Sequence, residues 1–417
     1  MRFLHVTQRY LPAIGGAERY IADLSEELVC RGHQVDVFTT RALDFYSWKT
    51  ALPPFEHLNG VNVLRFRSMQ RRAWVWAVLH FGLDRYWRTR SPRYEPLVLL
   101  GGGPLAPGMF WSILTQGRSY DLIHLSCLVY SHVAYGYWAA HRLGVPVVIT
   151  PLAHAEQEVT YNLGYQRWAM AGSDHVIAMT GAERDLFLSL GLDPWRVTVA
   201  GTGLRPESYE HGLKWDKTTA RLRLGLPSEG FVVLFLGRKS DYKGLDLALD
   251  AYAALLPLHP ELRFLAVGPE TDYSRALWPR YEGLAGLHIL ESVSDEEKLA
   301  ALQACDCLVL PSMGESFGIV FLEAWIMNKP VIGARTLSVA SLIQDGHDGF
   351  LAAPGDVADL AANIARLCAN PELARRMGAR GREKVLSRYT VPHIAERVEG
   401  IYLRVLRRRW RDEEGTL

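Results

Sequence analysis

Two glutamates stand eight residues apart in the stretch GESFGIVFLEAW, residues 314–325. Glu315 precedes an apolar run with helical spacing, and Glu323 falls about one turn inside it. Carboxylates accept hydrogen bonds from vicinal hydroxyls, so one of them suits a ribose and the other a sugar. Phe317, Gly318 and Ile319 open the helix, where outward N–H groups and the helix dipole favour an anion. A second cluster, GRKSDYKG at residues 237–244, sets Arg238, Lys239 and Lys243 directly after an apolar, strand-like run. Arginine grips phosphate oxygens through a planar fork and lysine acts as a point charge, so this group suits a diphosphate. Each signal also has an ordinary reading: the cations can be a solvated loop, and glutamates near a helix start can simply favour its dipole.

Nearer the amino terminus, Gly15 and Gly16 sit between a first strand, RFLHV, and a helix, where backbone N–H groups can approach a ligand closely. A tight turn explains the same pair. His154, in VITPLAHAEQ, follows a buried strand at the carboxyl edge of its sheet, so it can face a ligand or serve as a structural histidine. Missing patterns narrow the chemistry: there is no Asp-x-Asp triplet, no HExxH and no Walker A loop. A departing diphosphate is therefore expected to meet Arg238, Lys243 and helix N-termini rather than a metal.

Positioning such residues takes two sheets. In the first half the β-rich runs RFLHV, HQVDVFTT, VNVLRF, DLIHLS, VPVVITP, HVIAMT and RVTVA alternate with helical stretches. After a polar stretch from Leu204 to Gly230, FVVLFLGR, LRFLAVG, LHIL, DCLVLPS and PVIGA repeat the pattern. Short β segments separated by helices mean parallel, doubly wound sheets, so the expected class is α/β with two Rossmann-like domains divided near Leu204. A crevice between two such domains is the default ligand site. From Val357 the chain reads as helix, and its last stretch carries Ile394, Val398, Ile401, Leu403 and Val405 near one face, which must dock on something.

The 417 residues exceed one ordinary core. A net charge of +1 and a hydrophobic fraction of 49% exclude a disordered chain and a broadly basic nucleic-acid binder. Cys30, Cys127, Cys305, Cys307 and Cys368 form neither CxxC pairs nor a regular framework, which favours a reducing cytoplasm. The start MRFLHVTQRYLP lacks the marks of a signal peptide. The longest uncharged run, residues 96–117, is broken by Pro104, Pro107 and the triplet Gly101, Gly102 and Gly103, so no membrane-spanning helix is expected.

Together these segments resemble the retaining glycosyltransferases of family 4. GGAER after the first strand, GHQVDVFTT, GR with YKG, VSDEEKLAALQACDCLVLPS, ESFGIVFLEAW and DGHDGFLAAPGD carry the likeness along almost the whole chain. The E-x7-E element is the specific part; GGAER alone is not. The resemblance implies the GT-B fold of two facing Rossmann-like domains. Residues 1–203 would form an acceptor-binding domain, 204–388 a nucleotide-sugar-binding domain, and 389–417 a helix that packs back on the first. It also implies a hexosyltransferase-type enzyme, metal-independent and without cofactor, whose donor substrate is a nucleotide-diphosphate sugar.

By the same resemblance, Arg238 and Lys243 would contact the diphosphate, Glu323 the ribose hydroxyls, and Glu315 with the backbone of Phe317, Gly318 and Ile319 the donor sugar. Gly16 would lie near donor and acceptor, His154 near the sugar, and the loop around Ser292 and Val293 at the base. Glu315, His154, Arg238 and Lys243 are the residues expected to act in catalysis. Retention would follow from same-face attack, the leaving phosphate helping to deprotonate the acceptor.

Three stretches depart from the family pattern. AGTGL stands where a Pro-Asn-Gly turn is frequent, RTLSVASLI at residues 335–343 where a Gly-Gly-x-Pro-Glu loop is common, and Trp325 with Ile326 where small residues are usual. These bear on the donor-sugar pocket. The acceptor is expected to be read by the first domain, where Arg65, Arg67, Arg71, Arg72, Arg85, Arg88, Arg90 and Arg93 stand against the single acid Asp84. Trp74, Trp76, Phe81, Tyr86 and Trp87 are interleaved with them, and arginine beside tryptophan suits a membrane interface.

Residues 65–93, joined by Arg407, Arg408 and Arg409, are therefore expected to bring a cytoplasmic protein to the inner face of a membrane and to a glycan or lipid-linked acceptor. A solvated basic surface with inward aromatics is the other reading. Two further classes share the fold, a nucleotide-sugar epimerase and a non-catalytic nucleotide-sugar-binding subunit. An isomerised nucleotide sugar formed without acceptor marks the first, and donor binding without turnover the second.

Overall fold

Runs such as RFLHV and DLIHLS set apolar residues on both faces with a single histidine inside each, the mark of strands covered on both sides, and both are buried at the centre of a sheet. The structure is a computed structural model that describes residues 1–13, 15–44, 46–291 and 293–414, the side chains of 410–414 excepted. It contains two units, Met1–Gly201 together with the chain from Val391, and Thr202–Thr390.

The first unit is built on β1 (Arg2–Val6), β2 (Gln34–Thr40), β3 (Phe55–Leu58), β4 (Val61–Phe66), β5 (Leu122–Ser126), β6 (Val147–Thr150), β7 (His175–Ala178) and β8 (Val197–Val199). Their order is β3-β4-β2-β1-β5-β6-β7-β8, parallel throughout except at β3 and β4. That hairpin turns on Asn59 and Gly60, both at positive φ (49° and 83°), the conformation a two-residue hairpin loop demands. Strand β3 is absent from the sequence expectations.

In the second unit β9 (Phe231–Leu236), β10 (Leu262–Val267), β11 (Leu287–Leu290), β12 (Cys307–Leu310), β13 (Val331–Ala334) and β14 (Gly349–Ala352) form a parallel sheet in the order β11-β10-β9-β12-β13-β14. The direction of winding reverses between β9 and β12, as it does between β1 and β5 in the first sheet. The chain segments at the two ends of this unit meet in a single bridge, where the Leu204 N–H donates to the Tyr389 carbonyl at 2.8 Å.

The helix Val391–Glu414 packs on the first unit through Ile394, Val398, Ile401, Tyr402, Val405 and Leu406, all buried. Full burial of a large apolar side chain contributes roughly 1.5–3 kcal/mol. Polar groups fix the register. The Ser25 hydroxyl donates to the Ile21 carbonyl, so it accepts from His5 Nδ1 at 2.7 Å and leaves His5 Nε2 to accept the Tyr402 hydroxyl at 3.1 Å. The Tyr402 oxygen in turn accepts from His124 Nδ1 at 2.5 Å, and His124 Nε2 accepts from the Thr150 hydroxyl at 2.7 Å. Every member of this buried chain is satisfied with both histidines neutral.

Among the described residues no single helix is long and apolar enough to cross a membrane, and the uncharged run lies in two segments, Pro92–Gly102 and Pro107–Ser119, bent by 95°. The preceding helix, Ala73–Thr89, packs on Glu95–Gly102 over a small core of Leu79, Tyr86, Val98 and Leu163. Its outer surface shows Trp74, Phe81 and Trp87 at 62%, 49% and 53% exposure, beside the exposed Arg85, Arg88 and Arg90. Two of the expected surface arginines are instead structural. Arg65 is buried in an ion pair with Glu56, and Arg71 is buried against Trp48 and Trp76 while donating to the Gly102 carbonyl. At the other end Arg409 pairs with Asp174 at 2.7 Å, and Arg408 covers the Trp195 ring at 3.9 Å.

Candidate active site

In an open αβ sheet, ligands bind outside the carboxyl ends of the strands where the winding reverses. In the second unit that point lies between the loops after β9 and β12. The two loops are laced by backbone: the Met313 N–H donates to the Tyr242 carbonyl at 2.8 Å, and the Ser312 hydroxyl reaches the same oxygen at 3.3 Å. Gly244 closes the β9 loop at φ 70°, where a Cβ would stand 2.6 Å from the Pro311 carbonyl, so both conformation and space require glycine. This lacing sets Lys243 Nζ 2.5 Å from Oε1 of the buried Glu315.

The helix Ile319–Ile326 starts at Gly318, in the left-handed region at φ 89°, where a Cβ would press on the Phe321 ring. Phe317 is buried edge-on against Tyr389. The N–H groups of Phe317, Gly318 and Ile319 meet no protein acceptor among the described residues, as expected at a helix start that awaits an anion. One turn on, Glu323 Oε1 accepts from Lys298 Nζ at 2.8 Å and from the Tyr209 hydroxyl at 2.9 Å. Both partners escaped the sequence reading. Lys298 is the one cation in the acidic start DEEK of the helix Asp295–Ala304, a visible but ambiguous signal; nothing local marks Tyr209, which lies 114 residues from Glu323.

Lys239 does not belong to this cluster. It is fully buried, with Nζ 2.5 Å from Glu270 Oε1 and donating to the Leu290 carbonyl at 3.1 Å, so it braces the loops after β9, β10 and β11 from inside. Burial pushes the Glu270 carboxyl up, but bonds from Lys239, Ser274 and Trp278 outweigh it and hold the group below its ordinary range. The cations left for a diphosphate are Arg238, half-buried, and Lys243. Val293 is half-buried between β11 and the helix Asp295–Ala304, and Ser292 lies outside the described residues.

Trp325 and Ile326 also turn inward. Trp325 is fully buried, its indole N–H donates to the Asp348 carbonyl at 2.8 Å, and its ring occupies the space left by the missing side chain of Gly381. The bulk of both side chains fills the core. The stretch 335–343 holds a short helix, Leu337–Leu342, at the carboxyl end of β13. Beside it the buried Thr336 hydroxyl has no hydrogen-bond partner among the described residues.

The first unit carries Gly16 and His154. Gly16 begins the helix Gly16–Cys30, and a Cβ there would meet nothing within 4 Å, so packing in the chain itself does not demand glycine. Gly15 is different, because a Cβ would collide with the Glu18 carboxylate, which is buried in an ion pair with Arg9 at 2.6 Å. His154 follows β6, half-buried and stacked on Tyr161 at 6.2 Å. Its neighbour Ala153 donates its N–H to Glu183 Oε1 at 2.6 Å, and Met179 donates to the other oxygen, so one buried carboxylate pins the loops after β6 and β7. Burial raises that carboxyl to about 8, against the pull of the two N–H bonds.

The sequence profile of a family described as "Glycosyl transferases group 1" matches residues 216–384, and that of a "Glycosyl transferase 4-like domain" matches residues 15–203. A D-inositol 3-phosphate glycosyltransferase of Acidothermus cellulolyticus is 30% identical over 417 residues, covering 93% of this chain and 85% of the relative. The enzyme of that name from Streptomyces bingchenggensis is 29% identical over 413 residues, 91% of this chain and 83% of its own. Among solved structures, Anabaena HepE in complex with UDP and glucose superposes with a TM-score of 0.73 at 20% identity, covering 96% of this chain and 99% of the other. Sucrose-phosphate synthase from Thermosynechococcus elongatus gives 0.73 at 20% identity, with 97% and 98% covered.

Proposed function

Because the chain belongs to the group 1 glycosyl transferases, family 4, with the GT-B fold, and moves a sugar from a nucleotide-diphosphate donor, we propose that its second unit holds that donor between the loops after β9 and β12. The observation that carries this is the pair of carboxylates, Glu315 and Glu323, each set against its own lysine around the start of the helix Ile319–Ile326. Arg238, Lys243 and the N–H groups of Phe317, Gly318 and Ile319 receive the diphosphate, and they stabilise its charge as it leaves. Glu323 accepts from the ribose, Glu315 from the sugar, and the Val293 loop meets the base. In the first unit, His154 and Gly16 are the residues assigned by family resemblance to the sugar and to donor and acceptor, and Gly16 has open space where a Cβ would stand. Transfer proceeds with retention: the acceptor oxygen bonds to the anomeric carbon on the face from which the diphosphate departs, and its proton passes to the leaving phosphate. This scheme uses neither a metal nor a cofactor.

The acceptor is lipid-borne on this reading, and the exposed Trp74, Phe81 and Trp87 with Arg85, Arg88 and Arg90 bring the protein to an anionic membrane surface. Outward aromatics favour this over a solvated basic face, in which they would pack inward. The first test is protection against thermal unfolding by uridine, guanosine and adenosine diphosphates, with uridine tried first because HepE binds it. Stabilisation by one of them, reduced in Arg238→Ala, supports the site; no stabilisation by any of them overturns it. D-inositol 3-phosphate, the substrate in the relatives' names, is the soluble acceptor to assay beside lipid extracts.

A further inference from the structure

Glu323 is held from one side only. Its Oε1 accepts from Lys298 and from Tyr209, while Oε2 takes no hydrogen bond among the described residues. A carboxylate oxygen offers two lone-pair sites, so Oε1 is filled and Oε2 is open. Tyr209 is buried and closes the side it covers, whereas the side chains of Lys298 and Glu323 keep 30% and 13% of their exposure.

We infer that Lys298 is a positioning residue for the donor: it fixes Glu323 so that Oε2 alone meets the nucleotide's hydroxyls, and its charge offsets that of Glu323 near the diphosphate. The inference rests on the donor site proposed above. Glu315, Glu323 and a diphosphate bring like charges to one helix start, and like charges placed together cost binding energy. Each carboxylate therefore needs its own cation, and the structure supplies one to each, Lys243 at 2.5 Å and Lys298 at 2.8 Å. Without Lys298, Glu323 would repel the ligand it is placed to hold, and its carboxylate would lose the bond that aims it.

The test is calorimetric binding of uridine, guanosine or adenosine diphosphate, whichever stabilises the wild-type chain, followed by donor KM and kcat. Lys298→Met should weaken binding roughly tenfold and raise KM in proportion, with kcat changed less than about twofold, and Lys298→Arg should restore most of the loss. In a Glu323→Gln background the same Lys298→Met change should cost less than about twofold, because the charge to be offset is gone. Lys298→Met binding like wild type, or losing equally in both backgrounds, overturns the inference. Glu323→Gln binding like wild type overturns the donor-site reading itself. If Lys298→Met does not fold, Tyr209→Phe removes one bond to Oε1 and keeps the ion pair; it should weaken binding roughly threefold, and no change counts against the inference.

Discussion

Lys243 and Glu315 form an ion pair at 2.5 Å that joins the loops after the neighbouring strands β9 and β12. The pair holds a cation and a carboxylate where the winding of the sheet reverses, so neither has to be ordered when a ligand arrives. Lys243→Ala is expected to lower kcat/KM by roughly 100-fold or more, the loss found when one preorganised group facing a developing anion is removed. Initial rates with labelled donor, beside the melting temperature, check this. A folded Lys243→Ala enzyme with wild-type rates would refute the assignment.

Trp325 fills the gap at Gly381, which places it in the core. Gly381→Ala should therefore destabilise the chain by about 1–3 kcal/mol through overpacking, and Trp325→Ala by about 3–5 kcal/mol through the cavity it leaves. Urea denaturation measures both. If Gly381→Ala unfolds at the wild-type midpoint, the packing described for Trp325 is wrong.

Buried histidines make the fold sensitive to acid. Burial holds His5 down at about 3, His132 and His175 at about 4, and His124 well below the ordinary 6.5. Each is neutral in the fold and gains its proton on unfolding, so stability present above pH 6.5 is lost as the pH falls toward those lower values. A histidine held neutral contributes about 1.4 kcal/mol per pH unit across that window. Glu183, raised from 4.5 to about 8, acts in the opposite sense between those values, one group against four. Urea midpoints should fall steadily from about pH 7 to about pH 5, and a rise over that range would contradict the neutral chain through Tyr402.

Membrane attachment through the helix Ala73–Thr89 predicts two separable losses. Arg85→Ala with Arg90→Ala should reduce retention on vesicles rich in anionic phospholipid roughly tenfold or more at low salt, each cation being worth about 1 kcal/mol. Trp74→Ser with Phe81→Ser should reduce retention at every salt concentration. Flotation of wild type and variants tests both, and wild-type protein that stays in solution at low salt rules the attachment out.

The two sheets and the placement of Glu315 and Glu323 were legible in the sequence because each rests on a local pattern. Continuous apolar runs mark β1, β5, β9 and β12, and the loop before Ile319 announces a helix start. Strands β3 and β14 were not, since FEHL and GFLA are short and the first is half polar, although Asn59 and Gly60 signalled the hairpin. Lys239 shows a different limit: three cations in one loop look alike until Glu270, on another loop, takes one of them inward. Tyr209, Lys298 and the hole at Gly381 are likewise products of long-range packing, which no window of sequence displays.

The hydroxyl that His5 and His124 share comes from Tyr402, beyond the whole of the second unit in the chain. The second unit is thus a guest inserted into an interrupted host. During synthesis, residues 202–390 have all emerged and can close on themselves while the first sheet still lacks its last helix. Until then Phe3, His5 and His124 lack the Tyr402 ring and hydroxyl that complete their contacts, and a nascent chain stopped short of Tyr402 carries a finished guest on an unfinished host.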